Sequence, residues 1–135
     1  MLDKLNEAEI GSQFETMLNQ HLIRLYQLQP KPVRLDSSTL STYAPVNEDG
    51  LLRLGHSKEG RPEDAQLKFQ LGMLDPLGLP LVTQVVAGNR ADDPLYVPAI
   101  LAAQASIGGG GKTYIGDGKM AALATRALLV ASQDY

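Results

Sequence analysis

The chain contains no cysteine and no tryptophan, and only 5% of its residues are aromatic. The absence of cysteine excludes disulfide frameworks, thiolate zinc sites and cysteine nucleophiles. No apolar run approaches the roughly 20 residues of a membrane-spanning helix. The N-terminus also lacks the cationic and apolar regions of a secretory signal. We therefore expect a cytoplasmic protein with no membrane partner.

A strong excess of charge of either sign is also missing. Twelve basic residues are set against 15 acidic ones, which gives a net charge of −3. This balance argues against a nonspecific nucleic-acid coat, but it is compatible with a local basic patch. The length of 135 residues suits one domain with a single core.

An apolar stripe predicts a helix over residues 3–28, because apolar residues recur there at three-, four- and seven-residue steps. We expect this helix to pack on the domain or on a partner. Gly11 is expected to divide it, with Ser12 as the N-cap of the second piece and Glu15 completing a capping box. Pro30 ends the segment.

Beyond the N-terminal helix, β-branched residues and alternating polarity predict a sheet. The expected strands span residues 33–43, 51–54, 65–74, 79–86 and 112–116, and the expected later helices span residues 92–105 and 120–132. This order predicts an α/β fold with a mixed sheet. Residues 1–30 are expected to form an N-terminal helical segment and residues 31–135 the core.

Two aspartates occupy unusual positions. Asp36 lies inside a strand, where an ionised carboxylate is costly unless it is paired or binds a cation. Asp117 follows a strand and lies between Gly116 and Gly118, which allow a tight turn. If the two strands are neighbours, the two carboxylates form an oxygen-ligand site for Mg²⁺ or Mn²⁺. Each aspartate alone is also compatible with a turn-forming or capping role.

A basic loop lies between two of the expected strands. Its cationic side chains are Arg53, His56, Lys58 and Arg61, and we expect them, together with Lys119, to contact phosphates. The alternative is a solvated hairpin loop that is balanced by its own acidic residues.

Two further patterns are rejected. The segment Gly111–Thr113 resembles the end of a P-loop, but a helix precedes it and a strand follows it, the reverse of the P-loop context. His21 and His56 have no nearby cysteine or paired histidine that would complete a zinc site.

Four motifs occur in order along the chain, and they span about residues 33–130. They are Leu35–Ser38, Gly55–Asp64, the pair Gly78–Leu81 and Gly88–Asp92, and Thr113–Met120. Together they resemble the D-x-T/S, G-[YH]-S-K-[DE]-x-R-P-[DE], G-x-P-L…G-N-x-A-D and second-aspartate motifs of DDE transposases from bacterial insertion sequences.

The resemblance implies a ribonuclease H-like mixed sheet, with three antiparallel strands followed by β-α-β-α order. It also implies that Asp36 and Asp117 are catalytic and hold two Mg²⁺ or Mn²⁺ ions in the complete enzyme. Such an enzyme cleaves DNA at transposon ends and joins the freed 3′-hydroxyl to target DNA. Enzymes of this type usually act as dimers, so a homodimer is expected.

The sequence departs from the family at its third catalytic residue. The family places a glutamate on a helix beyond the second aspartate, but every glutamate of this chain precedes Asp117. We therefore expect a core that is truncated at its C-terminus, inactive alone, and able to partner with the missing part. One alternative is an inactive remnant that only binds DNA or a partner. Another metal nuclease on the same fold would need further carboxylates within this chain, for which no good candidate exists.

Overall fold

The computed structural model describes residues 8–47, 49–56, 60 and 63–135. The elements are α1 (Ala8–Leu25), β1 (Val33–Thr42), β2 (Arg53–Leu54), β3 (Ala65–Leu74), β4 (Leu79–Ala87), α2 (Tyr96–Ile107), β5 (Tyr114–Ile115) and α3 (Leu123–Ala131). Short 3₁₀ turns, Asp93–Leu95 and Gly118–Ala121, precede α2 and α3. The fold is therefore mixed α/β, as the sequence predicts. Within the described residues, no helix is both long and apolar enough to cross a membrane.

The sheet is mixed because β1 has an antiparallel neighbour on one side and a parallel neighbour on the other. On one side β1 runs antiparallel to β3 over ten residue pairs, from Val33 opposite Leu74 to Thr42 opposite Ala65. On its other side it runs parallel to β5. The far edge of β3 pairs antiparallel with β4 and, over two residues, with β2. β1 is thus a central strand, and β5 lies directly beside it.

The core lies between one face of the sheet and the helices. Its buried apolar side chains come from the sheet and from α2, and they are Val33, Leu35, Leu74, Leu81, Val82, Tyr96, Ala99, Ile100, Ala103 and Tyr114. Ile23 near the end of α1 and Leu128 of α3 pack against the same cluster. A Cβ on Gly72 would lie 3.0 Å from Leu35 Cδ2, so glycine permits close packing there. Side chains alternate between the faces of a strand, and the half-buried Phe69 and Leu71 of the other face do not belong to this core.

The structure corrects two expectations about α1. The helix runs without interruption through Gly11 and Ser12, so the expected break and capping box are wrong. A single glycine costs only about 1 kcal/mol in a helix, and tertiary contacts outweigh that cost. Those contacts include two hydrogen bonds, in which Asn19 Nδ2 donates to the Leu81 carbonyl at 2.9 Å and Gln20 Nε2 donates to the Ala105 carbonyl at 2.9 Å.

The apolar side of α1 faces mostly outward rather than into the domain. Ile10, Phe14, Met17, Leu18 and Leu25 are all exposed, and Met17 is 69% exposed. The predicted helix is therefore present, but most of its apolar stripe is not packed on the domain. The apolar stripe predicted the helix from its periodicity, but it did not indicate which side of the helix is buried.

A buried ion cluster joins β3 to the chain that follows β5. Asp92 is 5% exposed, and its two carboxylate oxygens accept from Lys68 Nζ of β3 and from Lys119 Nζ, each at 2.6 Å. Lys68 Nζ also donates to the Arg90 carbonyl at 2.7 Å. The sequence predicts Asp92 at a helix start. It does lie at the N-cap position of the first 3₁₀ turn, but its side chain makes no capping hydrogen bond.

The charge state of Asp92 follows from these contacts. Burial by itself raises the pKa of Asp92, but the hydrogen bonds and positive charges of Lys119 and Lys68 outweigh burial and lower the pKa below its ordinary value. A carboxyl group with a lowered folded-state pKa stabilises the fold above its unfolded-state pKa of about 3.9. That contribution is lost as the pH falls through the folded-state pKa.

We predict that Asp92→Asn lowers the free energy of unfolding at pH 7 by about 3 kcal/mol, because it leaves the buried Lys68 ammonium without a counter-charge. Urea unfolding measures the change. The control is Asp93→Asn at the exposed neighbouring residue, which should change stability by no more than about 0.5 kcal/mol.

The difference between wild type and Asp92→Asn should shrink as the pH falls below about 4, because Asp92 of the unfolded wild type then takes up a proton, and it should vanish once the pH lies below the lowered folded-state pKa of Asp92. Equal losses in the two variants at pH 7, or a difference independent of pH, would contradict the assigned ion cluster.

Candidate active site

The parallel pairing of β1 and β5 ends two residues before each of the two candidate aspartates. Arg34 lies opposite Ile115 in the parallel pair, and Asp36 and Asp117 each follow two residues later. The backbone at Asp117 is still extended, with φ −75° and ψ 179°. Residues two apart on a strand share a face, and adjacent strands lie about 4.8 Å apart. Continuing the parallel register by two residues would set Asp36 and Asp117 side by side, and Asp117 itself lies just beyond the end of β5.

The Asp117 carboxylate is fixed through one of its oxygens. Oδ1 accepts from the Tyr96 hydroxyl at 2.7 Å and from the Lys119 backbone N–H at 3.0 Å. The second bond caps the 3₁₀ turn that begins at Gly118. Gly116 permits this close arrangement, because a Cβ there would lie 2.6 Å from Met120 Sδ and 3.2 Å from Tyr96 Cε1.

The same contacts set the protonation of the site. The hydrogen bond from Tyr96 is the largest influence on Asp117 and lowers its pKa, and backbone N–H groups and the Lys119 charge act in the same direction. Burial raises the pKa of Tyr96, and the hydrogen bond to Asp117, the Asp117 charge and the Asp36 charge raise it further. Asp117 is thus held ionised and Tyr96 protonated, and both carboxylates act on the same hydroxyl.

Asp36 is exposed on β1, between Leu35 and the half-buried Ser37. Because Asp36 is exposed, its position inside the strand does not carry the cost of a buried ionised carboxylate. The nearest guanidinium on its face of β1 is that of Arg34, which instead pairs with Asp75 Oδ2 at 2.7 Å. Asp36 has the exposure that a ligand for an incoming cation requires.

The donor set consists of two carboxylates. Over the described parts of the chain, no group of three or more His, Asp or Glu side chains is placed to hold a metal ion. Carboxylate oxygens suit Mg²⁺ and Mn²⁺, which favour about six ligands. Asp36 and Asp117 can therefore supply only part of such a ligand shell.

The predicted basic residues are only partly brought together. His56 is exposed and lines a cavity of about 340 Å³ with Lys119, Lys68 and Arg90. Arg53 is not part of this lining, and its Nε donates to the Gly50 carbonyl at 3.2 Å. Lys119 is already ion-paired with Asp92. Lys58 and Arg61 lie outside the described residues.

Sequence reasoning missed Tyr96, Lys68 and the bridging role of Asp92. Tyr96 lies in an apolar helix and reads as a core residue, and it is indeed fully buried. The one available signal is general, since a buried tyrosine hydroxyl needs a hydrogen-bond partner. Which partner it finds depends on the β1–β5 register, which no local pattern reveals.

Comparison with known proteins gives limited similarity. No protein-family model and no curated protein matches the sequence. Among solved structures, the fold is similar to the Mos1 transposase paired-end complex with left transposon end, at 10% identity and a TM-score of 0.49 over 89% of this chain. It is also similar to the Mos1 strand transfer complex, at 9% identity and a TM-score of 0.46 over 87% of this chain. The matched region spans 38% of each of those chains.

Proposed function

We propose that this chain is part of the catalytic core of a DDE-type DNA transposase of the bacterial insertion-sequence kind, on a ribonuclease H-like fold. The observation that carries the proposal is the parallel register of β1 and β5, whose continuation by two residues would set Asp36 and Asp117 side by side. These are the two aspartates that the ordered motifs single out. The chain also has antiparallel strands, then a helix, a strand parallel to β1 and a final helix, and this mixed α/β arrangement supports the proposal.

The proposed metal ligands are the Asp36 and Asp117 carboxylates. Three features support them: Asp36 is exposed, Asp117 is kept ionised, and oxygen donors suit hard divalent cations. When bound, a pair of Mg²⁺ or Mn²⁺ ions activates the attacking oxygen and stabilises the leaving oxygen of an in-line phosphodiester displacement.

The remaining residues serve DNA binding and orientation. His56 and the basic residues of its loop are proposed to contact backbone phosphates, which position DNA without reading its sequence. Lys119 contributes through its backbone N–H, which holds Asp117, and its ammonium neutralises Asp92. DNA at transposon ends and target DNA are the proposed partners.

A DNA-binding remnant without chemistry is the second candidate. It is favoured by one observation, which is that the described residues hold no group of three or more His, Asp or Glu side chains placed to bind a metal ion. Metal binding separates the two candidates, because the remnant has no need of an intact aspartate pair.

We predict that the chain binds Mn²⁺ weakly and that Asp36→Asn and Asp117→Asn each reduce the affinity at least about tenfold. Each substitution removes a charged oxygen ligand from a shell that has few. Electron paramagnetic resonance titration of free Mn²⁺ measures the dissociation constant.

The control for this titration is Asp49→Asn, which removes an exposed carboxylate from a turn. It should bind Mn²⁺ as the wild type does. If wild type binds no Mn²⁺, or if all three variants bind alike, the proposed metal site is wrong.

We predict that replacing Arg53, Lys58 and Arg61 together by alanine weakens binding to duplex DNA. The slope of log affinity against log salt should flatten by about one unit for each lost phosphate contact. Fluorescence titration of a labelled duplex at several salt concentrations measures this slope.

The matched control removes three exposed basic residues elsewhere, at Arg24, Lys31 and Arg126. It changes the net charge equally and should leave a steeper slope than the loop variant. Identical slopes in the two triple variants would show that the loop is a solvated surface that does not contact DNA.

A further inference from the structure

The short strand β5 does little to fix the direction of the Asp117 side chain. β5 contains only Tyr114 and Ile115, and Asp117 lies beyond its end with an exposed side chain. An exposed aspartate at such a position normally samples several staggered rotamers. Any role that needs a single carboxylate direction therefore requires support from another element.

Tyr96 supplies that support from the core. The residue begins α2, is 0% exposed, and lies in the apolar cluster between the helix and the sheet. Its ring is also close to the backbone before Asp117, since a Cβ on Gly116 would lie 3.2 Å from Tyr96 Cε1. Because packing holds the ring, the hydroxyl is a donor at a fixed position, 2.7 Å from Asp117 Oδ1.

Both strong contacts of the carboxylate fall on the same oxygen. The Tyr96 hydroxyl and the Lys119 N–H each donate to Oδ1, and Oδ2 takes part in neither bond. Two donors on one oxygen define the plane of the carboxylate as well as its rotamer. The second oxygen, Oδ2, lies outside both of these bonds.

We propose that Tyr96 is a positioning residue of this site, which holds Asp117 in one rotamer by its hydroxyl and so reserves Oδ2 for a divalent cation shared with Asp36. This inference rests on the proposed function for its cation. The geometric part, the fixing of Asp117 by Tyr96, can be tested without any metal. Partners of ligating carboxylates typically influence metal affinity by about 10–100-fold.

Tyr114 provides a matched control within the same core. It is also buried, and its hydroxyl has no hydrogen-bond partner in the described structure. Tyr96→Phe and Tyr114→Phe each remove one buried hydroxyl from the core cluster. Only Tyr96→Phe removes a donor to Asp117.

The first experiment titrates Mn²⁺ into the full chain and its variants by electron paramagnetic resonance. We expect Tyr96→Phe to weaken binding by about tenfold or more, and Tyr114→Phe to bind as the wild type does. Replacing Tyr96 with para-aminophenylalanine, which keeps a donor at the same place, should recover most of the affinity. Equal weakening in both phenylalanine variants, or none in Tyr96→Phe, would overturn the proposal.

The second experiment measures the Asp117 χ1 rotamer by NMR three-bond couplings in the metal-free chain. We expect a single rotamer in the wild type and in Tyr114→Phe, and averaged couplings in Tyr96→Phe. If Asp117 remains in one rotamer in Tyr96→Phe, the positioning role is wrong. If wild type binds no Mn²⁺ but the couplings change as expected, the metal function fails and the positioning of Asp117 by Tyr96 stands.

Discussion

The candidate site depends on a parallel pairing of only two residue pairs. Val33 lies opposite Tyr114 and Arg34 opposite Ile115. This register determines which of the residues that follow in the two chain segments would lie side by side. A slip of one residue would turn one of the two aspartates to the other face of the sheet. The chemistry proposed here therefore requires that β5 be held in register by more than its own ladder.

Several hydrogen bonds and one ion pair outside the β1–β5 ladder hold β5 in place. Tyr135 brackets the start of β5, because its N–H donates to the Lys112 carbonyl at 2.8 Å and its carbonyl accepts from the Tyr114 N–H at 2.6 Å. Asp134 accepts from the Lys112 N–H at 2.9 Å and from Gln104 Nε2 of α2 at 2.8 Å. On the other side of β5, Lys119 reaches Asp92. Contacts on both sides of its two paired residues therefore hold the short strand β5 in position.

Sequence patterns predicted the elements of the fold well because they are local. The strand expected over residues 65–74 is observed with those bounds, and the turn before Leu79 is the hairpin that its residues indicate. Patterns could not predict which side of α1 faces the sheet, since polar bonds to carbonyls of β4 and α2 determine its orientation. The motifs identified both aspartates of the candidate site.

The partners of those aspartates could not be predicted in the same way. Tyr96 reaches Asp117 across 21 residues of sequence, and Lys68 reaches Asp92 across 24. Nothing in the spacing of these residues distinguishes them from an ordinary core tyrosine or a surface lysine. They become visible only when the strand order places β3, β1 and β5 side by side.

The outward-facing apolar side of α1 affects the heat-capacity change when the start of this helix unfolds. Ile23, near the end of the helix, packs against the core, whereas the first two turns present exposed side chains such as Phe14. Separating those turns from the sheet would expose little new apolar surface, and apolar exposure is what gives unfolding its large positive heat capacity. We therefore expect the start of α1 to open with a small heat-capacity change. Its amide hydrogens would then exchange through local opening rather than through global unfolding.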